Sequence, residues 1–170
     1  CIFDGKKGLY EENDIPDALD LYGTSKRLGE VAYGGHLTLR TSIIGHELDS
    51  SVSLVDWFLS QEESTKGFSK AVFSGLPTCV IARLLTNMIL PARNLSGLYH
   101  LSAEPINKFN LLNLISEIYD KQIEINESEE FEIDRSLNSN KLRSVLNLDI
   151  PSWKDLVSEM YEDFDKRYVS

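Results

Sequence analysis

The sequence is poor in the residues that metal sites and disulfide frameworks need. Its 170 residues include two cysteines, Cys1 and Cys79, and three widely spaced histidines, His36, His46 and His100. There is no CxxC pair and no group of histidines with metal-ligand spacing. This scarcity argues against a structural zinc site and against a disulfide-stabilised fold. We therefore expect no metal, and a reducing, cytoplasmic setting.

Long apolar runs and an excess of basic charge are missing as well. No apolar stretch approaches the length of a membrane span, so we expect no membrane partner. The net charge of -10 repels a phosphate backbone, which argues against nucleic acid as a partner. A small anionic ligand stays compatible with this charge, because a few Arg, Lys and backbone N–H groups can hold one locally.

The chain begins with Cys1 rather than Met. A mature lipoprotein also begins with cysteine, but here Ile2 and Phe3 continue directly into an apolar stretch without a polar tether. We therefore expect a fragment of a longer protein.

Segments with strand character alternate along the chain with segments of helical spacing. The predicted strands are "CIF", "HLTLRTSIIG", one short strand in "KGFSKAVFSGLPT", "GLYHLSA" and "IEINE". The predicted helices are residues 22–33, ended by "GG", then "SLVDWFLSQ", "TCVIARLLTNMIL", "NKFNLLNLISEIYDK" with Asn107 as N-cap, and "PSWKDLVSEMYEDFDKR" with Ser152 as N-cap. This alternation predicts an α/β protein with a largely parallel sheet.

The segment "DLYGTSKRLGE" places Tyr22 and Lys26 four residues apart, on one face of a predicted helix. A free tyrosine has a pKa of ~10, and a nearby ammonium group lowers that pKa. Such a pair is suited to exchanging a proton with a carbonyl or hydroxyl centre. By spacing alone, about 0.4 pairs of this kind are expected by chance among the seven tyrosines. The bare spacing therefore favours a packed tyrosine beside a solvated lysine.

The residues around the pair carry more information than the pair itself. They follow the order Phe3-Asp4-Gly5, Gly8, Tyr10, Glu12, Asp14, Pro16, Tyr22-Gly23, Ser25-Lys26, Gly29-Glu30. This order resembles the extended short-chain dehydrogenases/reductases that act on nucleotide sugars. Downstream, "LTLRTSIIG" resembles the strand that follows the catalytic helix in this family, and "GLPT" and "GLYHLSAEPINKFNLL" are similar to the dTDP-4-dehydrorhamnose reductase branch. The resemblance covers nearly the whole chain.

The resemblance implies a fold as well as a family. It implies the C-terminal part of a Rossmann-type fold, doubly wound and mostly parallel, with a small substrate-binding subdomain. The whole of 1–170 would be one single-domain fragment. Residues 1–50 would form the end of the Rossmann-type core with the YxxxK helix, and 51–170 the remaining core elements and the substrate-binding subdomain.

The function implied by the resemblance is NAD(P)H-dependent reduction of a nucleotide-linked 4-keto sugar. Tyr22 would protonate the sugar C4 oxygen, and Lys26 would support the tyrosine and bind the nicotinamide ribose. Tyr22, Lys26, Thr41 and Ser42 would together bind the cofactor, with Thr41 and Ser42 beside the nicotinamide. The cofactor would be NADPH or NADH and the partner a nucleotide sugar, and we consider a homodimer as the oligomeric state.

Three further residues are candidates for substrate binding, Arg135 and Thr78 by the same resemblance and Trp57 because its ring can stack on a ligand. Arg135 would approach the nucleotide diphosphate, with a loop salt bridge as the alternative. Trp57 would stack on the sugar or base, with core packing as the alternative, and Thr78 closes the "GLPT" loop. Arg40, in an apolar strand, needs a partner, and a structural carboxylate is as good a candidate as a ligand.

Three departures from the family pattern limit these expectations. No GxxGxxG follows a strand, and the third catalytic residue, a Ser or Thr just ahead of "FDG", would precede Cys1. Val72 and Phe73 stand where Asp-Gln is usual. We therefore expect no reductase activity from this chain alone. The alternatives are a sugar-nucleotide epimerase or dehydratase of the same superfamily, and a non-catalytic dehydrogenase-like binding or regulatory subunit.

Overall fold

Short strands and helices alternate along the chain, as the sequence predicts. The computed structural model describes residues 2–48 and 52–169, with side chains up to residue 167. The helices are α1 (Leu21–Leu28), α2 (Leu54–Leu59), α3 (Thr78–Leu84), α4 (Lys108–Ile118), α5 (Asn140–Leu146) and α6 (Trp153–Phe164), with π-helical turns at Leu85–Ile89 and Asp165–Val169. The strands are β1 (Leu37–Arg40), β2 (Ile43–Ile44), β3 (Ser64–Phe68), β4 (Ala71–Phe73), β5 (Leu76–Pro77), β6 (Gly97–His100), β7 (Ile106–Asn107), β8 (Glu124–Ser128) and β9 (Ile133–Asp134).

Most strand pairings are parallel. The pairs β1–β6, β2–β5, β3–β8 and β4–β9 are parallel, and β4–β7 is antiparallel. The register of the first pair sets Arg40 opposite His100. The predicted α/β class with mainly parallel strands is confirmed.

Helix α6 joins the two larger apolar cores. Leu156 is fully buried in a core built mainly by β5, α3 and α5, with Leu76, Val80 and Leu142. Its neighbour Val157 is fully buried in a second core, formed with α2 and α4. Because consecutive helical residues point about 100° apart, one helix supplies both cores and fixes α2 and α4 relative to β5.

Helix α1 is shorter than predicted: it ends at Leu28 and not at residue 33. The N–H of Gly29 donates to the carbonyls of Ser25 and Lys26, which closes the last turn. The chain then leaves the helix because Glu30 forms an ion pair with Arg40 of β1. The "GG" pair makes the turn into β1 instead of ending the helix.

The single strand predicted in "HLTLRTSIIG" is wrong, because the segment divides into β1 and β2. The break falls at Thr41 and Ser42, where the Ser42 carbonyl accepts a hydrogen bond from Leu76 N (2.9 Å). Each half has its own parallel partner, β6 or β5. The "KGFSKAVFSGLPT" segment contains β4 and β5 and the end of β3, rather than one strand.

Two further segments differ from the predictions. Ile2 and Phe3 of "CIF" are buried but form no strand within the described residues, and Cys1 lies outside them. Helix α5 was not predicted, because it is short and its spacing buries only Leu142. Its start depends on Asn138, whose side-chain oxygen accepts the N–H of Asn140 (2.9 Å).

Asn107 is confirmed as the N-cap of α4, since its side-chain oxygen accepts the N–H of Asn110 at 2.8 Å. We expect Asn107→Ala to lower the free energy of unfolding by about 1 kcal/mol, because the N–H then has no protein acceptor. Urea unfolding followed by circular dichroism measures this. Asn113→Ala, on the exposed side of the same helix, is the control and should be neutral or slightly stabilising. Equal losses for both variants would contradict the role of the cap.

Candidate active site

The loop after "FDG" is fixed by one buried tyrosine. The Tyr10 hydroxyl accepts hydrogen bonds from the N–H groups of Gly5 and Lys7, both at 3.1 Å, and donates to Asp4 Oδ1 at 3.2 Å. Backbone hydrogen bonds of 2.8–2.9 Å attach Tyr10 to residues 136 and 138. The tyrosine of the family pattern is therefore a structural residue that holds the loop against the segment after β9.

Two glycines of the same pattern are required by close approach. Gly5 and Gly8 have positive φ angles of 92° and 71°. A Cβ atom on Gly5 would lie 2.3 Å from Ile133 Cγ1, and one on Gly8 would lie 2.2 Å from Asp134 Oδ2. Both glycines allow the loop to dock on β9, so they shape the site without taking part in its chemistry.

Helix α1 begins where this loop ends and carries the Tyr–Lys pair. Asp20 caps the helix by accepting the N–H of Gly23 at 2.8 Å, and this hydrogen bond lowers the pKa of the Asp20 carboxyl. Tyr22 and Lys26 follow on one face, with Lys26 Nζ 5.3 Å from the centroid of the Tyr22 ring. The Tyr22 side chain is 61% exposed. The phenol is therefore open to a ligand.

The first cavity, of about 550 Å³, has Tyr22, Lys26, Thr41 and Ser42 on its walls. They include every residue to which the family resemblance gives a role in proton transfer or in binding the nicotinamide cofactor. Two elements bring them together: α1 carries the first two, and the break between β1 and β2 carries the others. A phenol, an ammonium and two hydroxyls are suited to holding a polyhydroxyl group such as a ribose.

Arg40 also lines this cavity, but its partner is a structural carboxylate. Its Nε and Nη2 donate to the two Glu30 oxygens at 2.7 and 2.9 Å. The guanidinium carbon lies 5.5 Å from the centroid of the Phe3 ring. Since both oxygens of Glu30 are engaged, this bidentate pair forms a rigid wall of the cavity.

His100 extends this wall inward. Its Nδ1 lies 2.9 Å from the Tyr10 carbonyl, which can only accept, so Nδ1 carries the proton. Nε2 is then free to accept from Arg40 Nη1 at 3.4 Å. Burial, together with the charge of Arg40, lowers the pKa of His100 although the Glu12 carboxylate opposes this. A neutral imidazole therefore suits this position.

A second cavity, of about 440 Å³, adjoins the first because Ser42 lines both. Its other walls combine aromatic rings with cationic groups: Trp57, Phe68, Phe73, Phe131, Lys66, Lys108 and Arg135. Among the described residues no Asp or Glu side chain lines it. Two of the three candidates for substrate binding, Trp57 and Arg135, lie here.

Thr78 lies apart from these two residues. It is the first residue of α3 and lines a third cavity of about 280 Å³, whose walls include His46 and Lys108. Lys108 and Phe73 belong to the second and the third cavity. The structure therefore assembles Trp57 and Arg135 but not Thr78 in the second cavity.

Sequence reasoning missed Lys108. It is the first residue of α4, directly after the N-cap, and its Nζ lies 4.4 Å from the centroid of the Phe73 ring. Burial lowers the pKa of Lys108 to about 8. A cation in the first turn of a helix opposes the helix dipole, and that signal was available from the sequence.

A buried polar cluster supports the third cavity. His46 Nδ1 lies 2.5 Å from Asp56 Oδ1, its Nε2 lies 2.9 Å from the Tyr119 hydroxyl, and its ring stacks on Phe164 at 4.0 Å. Burial raises the pKa of Tyr119. Burial also acts to raise the pKa of Asp56, but hydrogen bonds from Glu47 N–H, His46 and Ser53 outweigh it and lower that pKa. The cluster ties the segment after β2 to α2, α4 and α6.

No group of three or more His, Cys, Asp or Glu side chains within residues 2–48 and 52–169 could hold a metal ion. In the same residues, no helix is long and apolar enough to cross a membrane.

The mostly parallel strands, the helix with the Tyr–Lys pair and the cavity beside it define the C-terminal part of a Rossmann-type, reductase-like fold. The chain belongs to the RmlD substrate binding domain family, whose model matches residues 1–166. A comparison with curated proteins gives no significant match.

Solved structures share the fold. A hypothetical dTDP-4-dehydrorhamnose reductase from Sulfolobus tokodaii is 28% identical, with a TM-score of 0.73 over 89% of this chain and 58% of its own. A dTDP-4-dehydrorhamnose reductase from Bacillus anthracis, in complex with NADP, is 19% identical, with a TM-score of 0.79 over 95% and 62%. L-threonine 3-dehydrogenase from Trypanosoma brucei is 16% identical, with a TM-score of 0.69 over 99% and 61%. The chain thus spans about three-fifths of the length of these relatives.

Proposed function

We propose that this chain is the substrate-binding part of an NAD(P)H-dependent reductase that acts on a nucleotide-linked 4-keto sugar, as in dTDP-4-dehydrorhamnose reductases. The observation that carries the proposal is the sharing of Ser42 by two cavities. One cavity offers a proton donor, and the other offers aromatic rings and cations. A nucleotide sugar needs both, because its reacting carbonyl and its diphosphate lie at opposite ends of the sugar.

In this proposal Tyr22 gives its proton to the C4 oxygen of the sugar. When bound, the nicotinamide supplies the hydride. The Lys26 ammonium, 5.3 Å from the Tyr22 ring centroid, stabilises the negative charge that develops on the phenol and donates to the ribose hydroxyls. Thr41 and Ser42, which line the same cavity, would lie beside the nicotinamide.

The second cavity receives the nucleotide in this proposal. The Trp57 ring stacks on the base or sugar, and the Arg135 guanidinium donates to the diphosphate as a fork. Residues 1–50 then form the end of the Rossmann-type core with the YxxxK helix, and 51–170 the remaining core elements and the substrate-binding subdomain. A cytoplasmic homodimer that serves polysaccharide biosynthesis completes the proposal.

The chain on its own is expected to oxidise no NADPH in the presence of dTDP-4-dehydrorhamnose. The ten glycines include no GxxGxxG to bind the cofactor pyrophosphate. Absorbance of the reduced nicotinamide measures the rate. As a control, calorimetry measures whether dTDP binds to the same sample, which shows whether the second cavity is intact. Turnover by the isolated chain would overturn this expectation.

The function itself is tested with the longer protein that contains this chain. The proposal predicts NADPH oxidation that is stoichiometric with loss of the 4-keto sugar. Conversion of a sugar nucleotide without net NADPH oxidation would indicate an epimerase or dehydratase. Binding without conversion of any sugar would indicate a regulatory subunit. Either of these results contradicts the reductase proposal.

A further inference from the structure

The second cavity is locally cationic in an acidic chain. The sequence has 27 Asp and Glu against 17 Lys and Arg, yet Lys66, Lys108 and Arg135 line the cavity with no carboxylate from the described residues. Lys66 has a partner, because its Nζ lies 2.7 Å from Glu130 at the exposed rim. The cationic character inside the cavity therefore comes from Lys108 and Arg135.

Arg135 has an unsatisfied donor. Its Nε is buried and donates no hydrogen bond within the described residues. Its backbone N–H is engaged with the Val72 carbonyl at 3.4 Å, and its side chain lines the second cavity. A buried donor without an acceptor costs free energy. Because Nε itself is shielded, an anion in the cavity would accept from the terminal nitrogens of the guanidinium and offset its charge.

Lys108 lies on another wall of the second cavity and likewise has no polar partner among the described residues. In the part of the chain that the structure describes, its ammonium forms no hydrogen bond or ion pair and only faces the Phe73 ring. The charged or titratable groups that share its cavities are Lys66 and Arg135 on one side and His46 and Glu47 on the other. Burial lowers its pKa to about 8 with no offsetting charge, and the dipole of α4 also disfavours the charged form.

We infer that Lys108 is a specificity-determining residue, which binds a phosphate group of the substrate in the second cavity together with Arg135. The inference rests on the proposed function, because it takes the nucleotide diphosphate as the anion. A phosphate restores an acceptor to both cations and faces the N-terminus of α4, where anions are favoured. Lys108 can bind the phosphate in this way only while its amine is protonated.

The test measures binding of dTDP and thymidine to this chain by calorimetry, since Lys108 and Arg135 of this chain both line the second cavity. Lys108→Met keeps the aliphatic stem over Phe73 and removes the charge. We expect dTDP to bind roughly ten- to hundredfold more weakly to this variant, as for loss of a hydrogen bond to a charged group. Thymidine, which lacks the phosphates, should bind both proteins equally.

Lys70→Met is the matched control, because it removes a lysine close in sequence to β4 that does not line the second cavity. Its ammonium pairs with Glu129 at 2.8 Å and is exposed, so its effect on dTDP binding should stay below about threefold. Thermal unfolding of both variants shows whether the fold is kept.

The pH dependence of dTDP binding distinguishes a charge contact between Lys108 and the phosphate from a purely structural role of Lys108. The second pKa of a phosphate ester is ~6, so the phosphate charge changes little from about pH 7.5 upward. For the native chain, dTDP affinity should be level below the Lys108 pKa of about 8 and fall as pH rises above it. Lys108→Arg, which stays charged, should bind dTDP with no such decline.

Inorganic pyrophosphate separates this inference from the proposed function. Pyrophosphate binding that depends on Lys108, with dTDP binding no tighter, would support the anion site and contradict a nucleotide ligand. Equal dTDP affinity in the native and Lys108→Met chains, or no binding of either probe, would overturn the inference. The reductase proposal would then be decided by turnover in the longer protein.

Discussion

Tyr22→Phe, introduced into the longer protein that contains this chain, is expected to slow hydride transfer by roughly two to four orders of magnitude. The variant keeps the aromatic ring, so the contact of Lys26 Nζ with the ring at 5.3 Å can persist. Only the hydroxyl that gives the proton is lost. Rapid mixing of the enzyme–NADPH complex with substrate measures the step. The affinities for NADPH and the sugar nucleotide should change far less than the rate of hydride transfer.

Tyr33→Phe is the matched control for this prediction. Tyr33 lies in the loop between α1 and β1, is 74% exposed and stacks edge-on against His36. It does not line the first cavity, so its hydroxyl should be dispensable. An unchanged rate of hydride transfer in Tyr22→Phe, or an equal loss in both variants, would show that the Tyr22 hydroxyl is not the proton donor.

Glu30→Gln is expected to lower the free energy of unfolding by roughly 3 kcal/mol, because it leaves the Arg40 charge without its counterion. The Arg40 side chain is only 9% exposed, and Glu30 binds it through both oxygens. Removing one partner of such a pair costs more than removing both. The double variant Glu30→Gln/Arg40→Met should therefore recover part of the loss. Urea unfolding of the native chain, of Glu30→Gln, of Arg40→Met and of the double variant completes this double-mutant cycle.

Glu159→Gln breaks an equally bidentate pair on the surface and serves as the control. Arg83 donates to both oxygens of Glu159 at 2.8–2.9 Å, but the two side chains are 43% and 35% exposed. Exposed pairs contribute little, so this loss should stay below about 1 kcal/mol. Comparable losses in the free energy of unfolding at Glu30 and Glu159 would show that burial does not determine how much the Glu30–Arg40 pair contributes to stability.

The predictable parts of the fold depend on local patterns. The caps of α4 and α6 follow from Asn107 and Ser152, which accept N–H groups three residues on. The α/β class follows from the alternation of strands and helices. Tyr22, Lys26, Thr41 and Ser42 line one cavity, on the two segments to which the family resemblance assigns the cofactor and the proton transfer.

The parts that were missed depend on tertiary contacts. The end of α1 is set by the pair between Glu30 and Arg40, which no local pattern encodes. The break in "HLTLRTSIIG" follows from two different strand partners, at Leu76 and at Gly97, far along the chain. Lys108 was overlooked because an amphipathic helix usually begins with solvated residues, whereas Phe73 and the cavity enclose this one.

In the proposed reaction, hydride reaches the sugar carbonyl in the first cavity, beside Tyr22. The most direct test supplies the longer protein with dTDP-4-dehydrorhamnose and NADPH that carries deuterium at the transferred position. Mass spectrometry and NMR of the product then locate the label. We expect one deuterium bound to C4 of the sugar. A product without deuterium at C4, or recovery of unchanged substrate, would contradict it.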